Sequence, residues 1–252
     1  MSFIKNFNQK ILISINSANE KSLFLFIARI LNPDFVFDIG SRDANDAIKF
    51  RKAIPQKSRI LAIEASPSLF EKMKKNSLLK KKKIEIFNYA IERKVGIKNF
   101  YTFSKKKGTG SLIKRNNKTN LKKIKVKTIS LDRLINILKI RYLKKAFLWI
   151  DVEGSSYDVI KGARSTLSNV DAIIIELETK ELFYKQRLAN IVIKEIKKFD
   201  FDIIEIAQNH DRTSGNYIFL KKKYLNSIKI TFLILLYKFY TYFIKFKLLL
   251  LR

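Results

Sequence analysis

Apolar residues in this chain gather into short unbroken runs, separated by polar stretches with helical spacing. Three of the runs are Phe35-Val-Phe-Asp-Ile-Gly40, Ile60-Leu-Ala-Ile-Glu64 and Phe147-Leu-Trp-Ile-Asp-Val-Glu-Gly154, and each ends on an acidic group. Runs of this length closed by Asp-x-Gly read as buried parallel strands turning into helices. Between them, Asp43–Ala53 predicts a helix stopped by Pro55, and Ser66-Pro67 starts a second helix reaching about Ser77. Lys80–Lys83 reads as a basic turn and Ile84–Ile91 as the third strand. Asn99–Phe103 and Lys125–Ile129 alternate like exposed strands around a Lys, Asn, Gly and Thr loop at Lys105–Asn120. Further helices are expected at Leu131–Ile140, Ser155–Ser168 (Val159, Ile160, Ala163 and Leu167 inward) and 186–199. Further strands are expected at 146–153, Asp171–Glu176, 201–207 and 216–220. This alternation predicts an α/β fold with a Rossmann-like, mostly parallel sheet of about seven strands and helices on both faces.

Three segments emerge. Residues 1–30 read as mainly helical, with Phe3, Ile4, Phe7, Ile11 and Ile15 on one face. Residues 31–222 form one domain, and 225–252 an apolar, basic C-terminal helix. Wound as a helix, that tail puts Thr231, Lys238, Thr241, Lys245 and Arg252 in one stripe opposite a wide apolar face. The expectation is a helix lying in a membrane interface with its lysines toward headgroups. Docking on the domain and pairing with a second copy are the alternatives. Lys238, Lys245 and Lys247 argue against a true span.

Composition narrows the chemistry. With no cysteine, disulfides, thiolate metal sites and cysteine nucleophiles are excluded, which fits a cytoplasmic chain, and the single histidine, His210, excludes a multi-His metal site. No metal is expected. The apolar stretch Leu23–Leu31 is short and follows Glu20 and Lys21, unlike a signal peptide. A formal net charge of +30 favours anionic partners: phosphorylated glycans, acidic lipid headgroups or nucleic acid. Lys105-Lys-Lys-Gly-Thr-Gly-Ser111 has the composition of an anion-binding loop but lacks the strand–loop–helix setting of a P-loop. No RNA-binding module accompanies the basic clusters at 80–83, 105–107 and 122–127.

In an open α/β sheet the ligand crevice lies beyond the carboxyl ends of the strands, where Asp38, Glu64, Asp151 and Glu153 would converge. Their order suggests an adenosine-cofactor site. Asp38-Ile-Gly-Ser-Arg-Asp43, Ile63-Glu-Ala-Ser-Pro67, Thr128-Ile-Ser-Leu-Asp132 and Ile150-Asp-Val-Glu-Gly154 together resemble the motifs of FkbM-type methyltransferases, in the same order. Val159-Ile-Lys-Gly-Ala163 and Ile173-Ile-Ile-Glu176 fit as well, so the resemblance covers roughly 33–222. It implies a class I methyltransferase fold, S-adenosylmethionine as cofactor, and O-methylation of a sugar hydroxyl on a glycan, glycolipid or related small natural product. Two positions depart from the pattern. Ala44 stands where the family usually has glycine, and Ser155-Ser156 replaces the more usual Ala-Glu pair.

Methyl transfer is an in-line displacement, so the protein mainly positions and desolvates its reactants. Gly40 is expected to let the backbone approach the cofactor, with the Ala44 methyl crowding that approach. Asp38 is expected to fix the turn or the methionyl amine. Glu64 suits both ribose hydroxyls, with a helix-entry charge near Ser66-Pro67 as the alternative, and Asn88 and Ala90 either border the adenine or simply pack. Asp151 and Glu153 are the candidate catalytic pair, Asp151 as acceptor of the hydroxyl proton, with helix capping as the alternative for each. Glu176 is a lesser candidate, and His210 either lines the acceptor pocket or is solvated. The partners expected are a glycan or small-molecule acceptor and an anionic membrane surface met by 225–252, at the inner face of the membrane. Two other readings compete: an RNA methyltransferase drawn by the charge, and a non-catalytic membrane-associated module with a decayed site.

Overall fold

The computed structural model describes residues 19–103, 110–116 and 121–250. The predicted face from Phe3 to Ile15, the basic cluster 105–107 and Arg252 lie outside the described residues. The main sheet has seven strands in the order β10-β11-β9-β8-β1-β2-β3. They are β1 (Phe35–Ile39), β2 (Arg59–Ile63), β3 (Ile84–Phe87), β8 (Ala146–Ile150), β9 (Val170–Glu178), β10 (Phe201–Gln208) and β11 (Ser214–Lys221). The neighbours from β9 to β3 are parallel, and β11 lies antiparallel between β9 and β10. The register is tight at the centre: Asp38 sits opposite Ala62 on one side and Trp149 on the other.

Helices cover both faces, as a sheet apolar on both sides requires. One face carries α1 (Glu20–Leu31) and α2 (Asn45–Ala53), with α3 (Pro67–Lys75) and α4 (Ser77–Lys81) toward its edge. Asn19 starts α1 by accepting the Ser22 N–H at 3.0 Å. The Phe24 ring of α1 meets those of Phe50, Phe147 and Trp149 at centroid distances of 5.9, 5.4 and 6.0 Å, a burial worth about 1.5–3 kcal/mol for Phe24. The stretch 20–31 therefore belongs to the domain core rather than to a separate segment. The opposite face carries α5 (Leu131–Ile137), α6 (Ser156–Lys161), α7 (Arg164–Leu167) and α8 (Ala189–Lys197).

Four expectations need correction. The predicted turn Lys80–Lys83 begins inside α4, which Asn76 caps through the Leu78 N–H at 3.1 Å. The predicted strand Ile84–Ile91 breaks after Phe87, because the Asn88 amide donates to the Glu64 and Ala65 carbonyls at 2.8 and 3.1 Å and draws the chain off the sheet. Ala90 and Ile91 (β4) then join a second sheet, order β4-β7-β5-β6, with β5 (Gly96–Phe103), β6 (Gly110–Ser111) and β7 (Leu121–Ile129). The two strands expected to be short are thus eight and nine residues long and paired with each other. The predicted helix Ser155–Ser168 splits at Gly162, where a β-carbon would overlap the Glu92 carbonyl; this close approach docks the helix pair against the end of β4.

The tail holds the largest correction. After α9 (Lys222–Leu225) it forms one helix, α10 (Ile228–Leu250), whose polar stripe turns to the domain at Thr231 and Lys238 and is exposed at Lys245. Thr231 and Lys238 are buried, Lys238 completely, while Phe232, Phe239 and Phe243 are 58%, 57% and 66% exposed. The Lys238 ammonium pairs with the Glu205 carboxylate and donates to the Ile204 carbonyl at 2.8 Å. Beside it Ile234 is fully buried, and Tyr237 stacks on Phe26 at 4.3 Å. Thr231 donates to the Leu225 carbonyl at 3.1 Å.

Candidate active site

The carboxyl ends of β1, β2, β8 and β9 open into a cavity of about 990 Å³. Gly40 turns the chain out of β1 at φ +84°. A β-carbon here would overlap the Asp151 carbonyl oxygen, so glycine serves first to bring the ends of β1 and β8 together. Its N–H and that of Ser41 donate to the Ile63 carbonyl at 2.9 and 3.1 Å. Asp38, 1% exposed, accepts the Ser41 hydroxyl at 2.6 Å and sits behind the cavity wall, fastening the turn. Burial pushes its pKa up to about 7.

Ala44, in the next turn, adopts φ +61°, the left-handed region that glycine favours. Its methyl group is buried in the core and does not line the cavity. The departure at this position therefore strains the backbone rather than crowding the cofactor.

Glu64 leaves β2 with its carboxylate facing the cavity. One oxygen accepts the Arg42 N–H at 2.8 Å and the other the Ser66 N–H at 2.7 Å. The carboxylate keeps acceptor capacity for a further donor. Burial raises its pKa, against the pull of these backbone donors. Leu69, Tyr89, Ala90 and Ile91 add apolar surface to the cavity lining. Asn88 is not on that lining, since its amide is committed to the backbone near Glu64.

Asp151 follows β8 and is open to the cavity. Although water reaches the side chain, protein surrounds it on most sides. That poor solvation, with the charges of Glu176 and Glu153, pushes its pKa up to about 7; Lys21 pulls the other way. No side-chain cap is made to α6 by Ser155. Glu153 lines the cavity 3.9 Å from Arg115, and its carbonyl accepts the Ser111 hydroxyl of β6 at 2.5 Å. The loop is held from below by Glu178, whose carboxylate accepts the Gly154 N–H at 2.8 Å; burial pushes its pKa up to about 7 as well. Glu176 lines the cavity and accepts the Ser214 hydroxyl at 2.7 Å.

Of the residues singled out in the sequence, Gly40, Glu64, Ala90, Asp151, Glu153 and Glu176 line this one cavity, whereas Asp38, Asn88 and His210 do not. Lys21 and Asp46, 3.8 Å apart on α1 and α2, also line it. They follow no strand and stand in no motif, so pattern reading passed over them. Ser111, at the end of the loop read as anion-binding, contributes to the cavity wall. Among the described residues no group of three His, Cys, Asp or Glu is placed to hold a metal.

The seven-stranded sheet, with one antiparallel strand next to its edge and an acid following β2, has the arrangement expected of a class I methyltransferase fold. The match to the methyltransferase FkbM domain extends over residues 38–215, and the chain belongs to that family of S-adenosylmethionine-dependent methyltransferases. No curated protein matches the sequence. Solved structures similar in fold include an FkbM methyltransferase from Methylobacillus flagellatus KT, 12% identical with a TM-score of 0.49, covering 75% of this chain and 44% of the other. The chain thus spans less than half of that protein. A methyltransferase from Geobacter sulfurreducens is 13% identical with a TM-score of 0.45, covering 80% and 77%. An O-methyltransferase from Bacillus cereus in complex with SAH is 14% identical with a TM-score of 0.45, covering 82% and 83%. At these identities the likeness is one of fold.

The cavity suits S-adenosylmethionine by its own chemistry. It offers a buried acid with acceptor capacity left, apolar side chains, and a Lys21–Asp46 pair on the same wall.

Proposed function

We propose that the chain transfers a methyl group to a hydroxyl of a sugar on a glycan, glycolipid or related small natural product, with Asp151 as the proton acceptor. The observation that carries this reading is Asp151 itself: a carboxylate open to the same cavity as Glu64, its pKa pushed up to about 7. A base poised near neutrality suits the removal of a proton whose oxygen is becoming an ether. Glu64 holds the ribose hydroxyls. Lys21 and Asp46 complement the methionyl carboxylate and amine, and Leu69, Tyr89 and Ala90 flank the adenine. S-adenosylmethionine supplies an electrophilic methyl group on a sulfonium. The acceptor would enter against Ser111, Leu112 and Lys122, and its oxygen would pass its proton to Asp151 as the carbon–oxygen bond forms and the sulfur–methyl bond breaks, the sulfur leaving as a neutral thioether. Glu153, paired with Arg115, steadies the loop that carries Asp151. Peripheral contact of the tail with the inner face of a membrane would bring a lipid-linked sugar within reach.

Calorimetry with S-adenosylmethionine tests the assigned cavity. Glu64→Gln keeps the shape but replaces one acceptor oxygen by a donor, and is expected to weaken binding at least ~10-fold, as loss of a charge-assisted bond does. Unchanged affinity would sink the assignment. A transfer assay with labelled cofactor on glycan, lipid-linked sugar and RNA acceptors identifies the substrate. One observation favours RNA as a second reading: Lys123, Lys125 and Lys127 stand exposed along β7. Label on RNA, with a steep salt dependence, would establish that reading. Cofactor binding without label on any acceptor would support a decayed site.

A further inference from the structure

A soluble helix ordinarily turns its charges outward and its apolar face inward. α10 does the reverse. Its buried side carries Thr231, Ile234 and Lys238, with Lys238 locked to Glu205 and to the Ile204 carbonyl. Its exposed side carries Phe232, Leu236, Phe239, Phe243 and Phe246, each 49–66% exposed. Steps of four and three residues put these five on one continuous ridge. Lys229 and Lys247 stand on that side near its two ends, and from Lys221 to Arg252 there is no acidic residue.

The direction of the helix adds a second fact. β11 runs antiparallel to β9, so Lys221 lies at the amino end of the parallel strands, away from the cavity. α10 begins there, passes Glu205 midway along β10, and runs on toward the carboxyl ends. From Lys238 to Leu250 it extends about 18 Å at 1.5 Å per residue, and Tyr242 to Lys247 are exposed. α1, which touches it through Phe26 and Tyr237, brings Lys21 at its first turn to the cavity wall. The carboxyl-terminal part of α10 therefore stands on the cavity side of the sheet.

We propose that the outer ridge of α10 docks in the acyl boundary of an anionic bilayer at a fixed angle, with the cavity turned toward the lipid surface. This rests on the peripheral-membrane reading above and adds the contact face and the orientation. Lys238 is not available to headgroups, because it is spent on the domain; the exposed Lys229, Lys245 and Lys247 supply the attraction to acidic lipid instead. A second copy would also fit a ridge of this spacing. That pairing would crowd cations of two chains, each with a net charge of +30, against one another, whereas an anionic surface offsets them.

Full-length protein is sedimented with vesicles of phosphatidylcholine alone and with phosphatidylglycerol added. Binding is expected only to the mixed vesicles, and the double substitution Phe239→Ser, Phe243→Ser should lower partitioning at least ~10-fold. Affinity for S-adenosylmethionine and the circular dichroism spectrum should not change, since neither side chain touches the core. As a positive arm, Phe243→Trp should be quenched by brominated lipid, while Trp149, 3% exposed, should not. If the parent protein binds vesicles and the double variant binds equally well, the ridge is not the contact, though the peripheral reading survives. If the parent binds no vesicle and runs as a dimer that the double variant dissolves, the face belongs to a second copy and both readings fall.

Discussion

At the scale of single residues, Asp151 and Ala44 carry the sharpest expectations. With its pKa pushed up to about 7, Asp151 is protonated at lower pH and can accept no proton there. The rate of transfer should therefore rise about tenfold per pH unit below about 7 and level off above it. Asp151→Asn should lower kcat by ~10²-fold or more and abolish that rising limb, while leaving cofactor affinity nearly intact. A purely structural Asp151 would lose stability without reshaping the pH profile. Ala44 and Ala47 are both fully buried and three residues apart, yet differ in backbone: Ala44 is left-handed, Ala47 helical. Ala47→Gly should cost about 1–2 kcal/mol, from lost burial and helix propensity. At Ala44 the relief of a left-handed alanine offsets those terms, so Ala44→Gly should fall within about 0.5 kcal/mol of the parent in urea unfolding. Equal losses at both positions would refute the strain at Ala44.

Among the elements, α10 depends most on one interaction. Glu205→Ala would leave the Lys238 ammonium buried without its counter-charge, a change that costs about 3–5 kcal/mol when the site cannot open. Burial already holds the Lys238 pKa below the ordinary lysine value despite the help of Glu205. Two outcomes fit: a large fall in the urea midpoint, or early proteolysis near Ser227 as α10 lifts. The double substitution Glu205→Leu, Lys238→Met should recover most of the loss, because an apolar pair of similar volume needs no solvation. The helix was legible in the sequence, stripe included. Which side of it met the core was not, because periodicity reports that a stripe exists and not what it faces. The deciding residue, Glu205, lies on a strand distant in sequence and shares no local pattern with Lys238.

Taken as a whole molecule, the seven-stranded sheet was legible because its central strands are apolar on both faces, and the acids at their ends marked the cavity. Glu64, Asp151 and Glu153 were found in this way. The second sheet was less so: lysines alternate along one face of β7, which makes a paired strand look like a solvated one. Lys21 and Asp46 reach the cavity by packing of α1 on α2, a tertiary fact with no sequence signature. The walls of the cavity differ in how the chain encodes them. The lining residues outside the acceptor side come from six separate segments, most of them at the ends of main-sheet strands, so the wall around Glu64 and Asp151 is built into the sheet itself. Phe100, Thr102, Gly110, Ser111, Leu112, Lys122 and Ile124, on the side assigned to the acceptor, come from one stretch between β4 and α5. A lineage could rewrite that stretch, by insertion or recombination, and inherit a new substrate while its cofactor chemistry passed on unaltered.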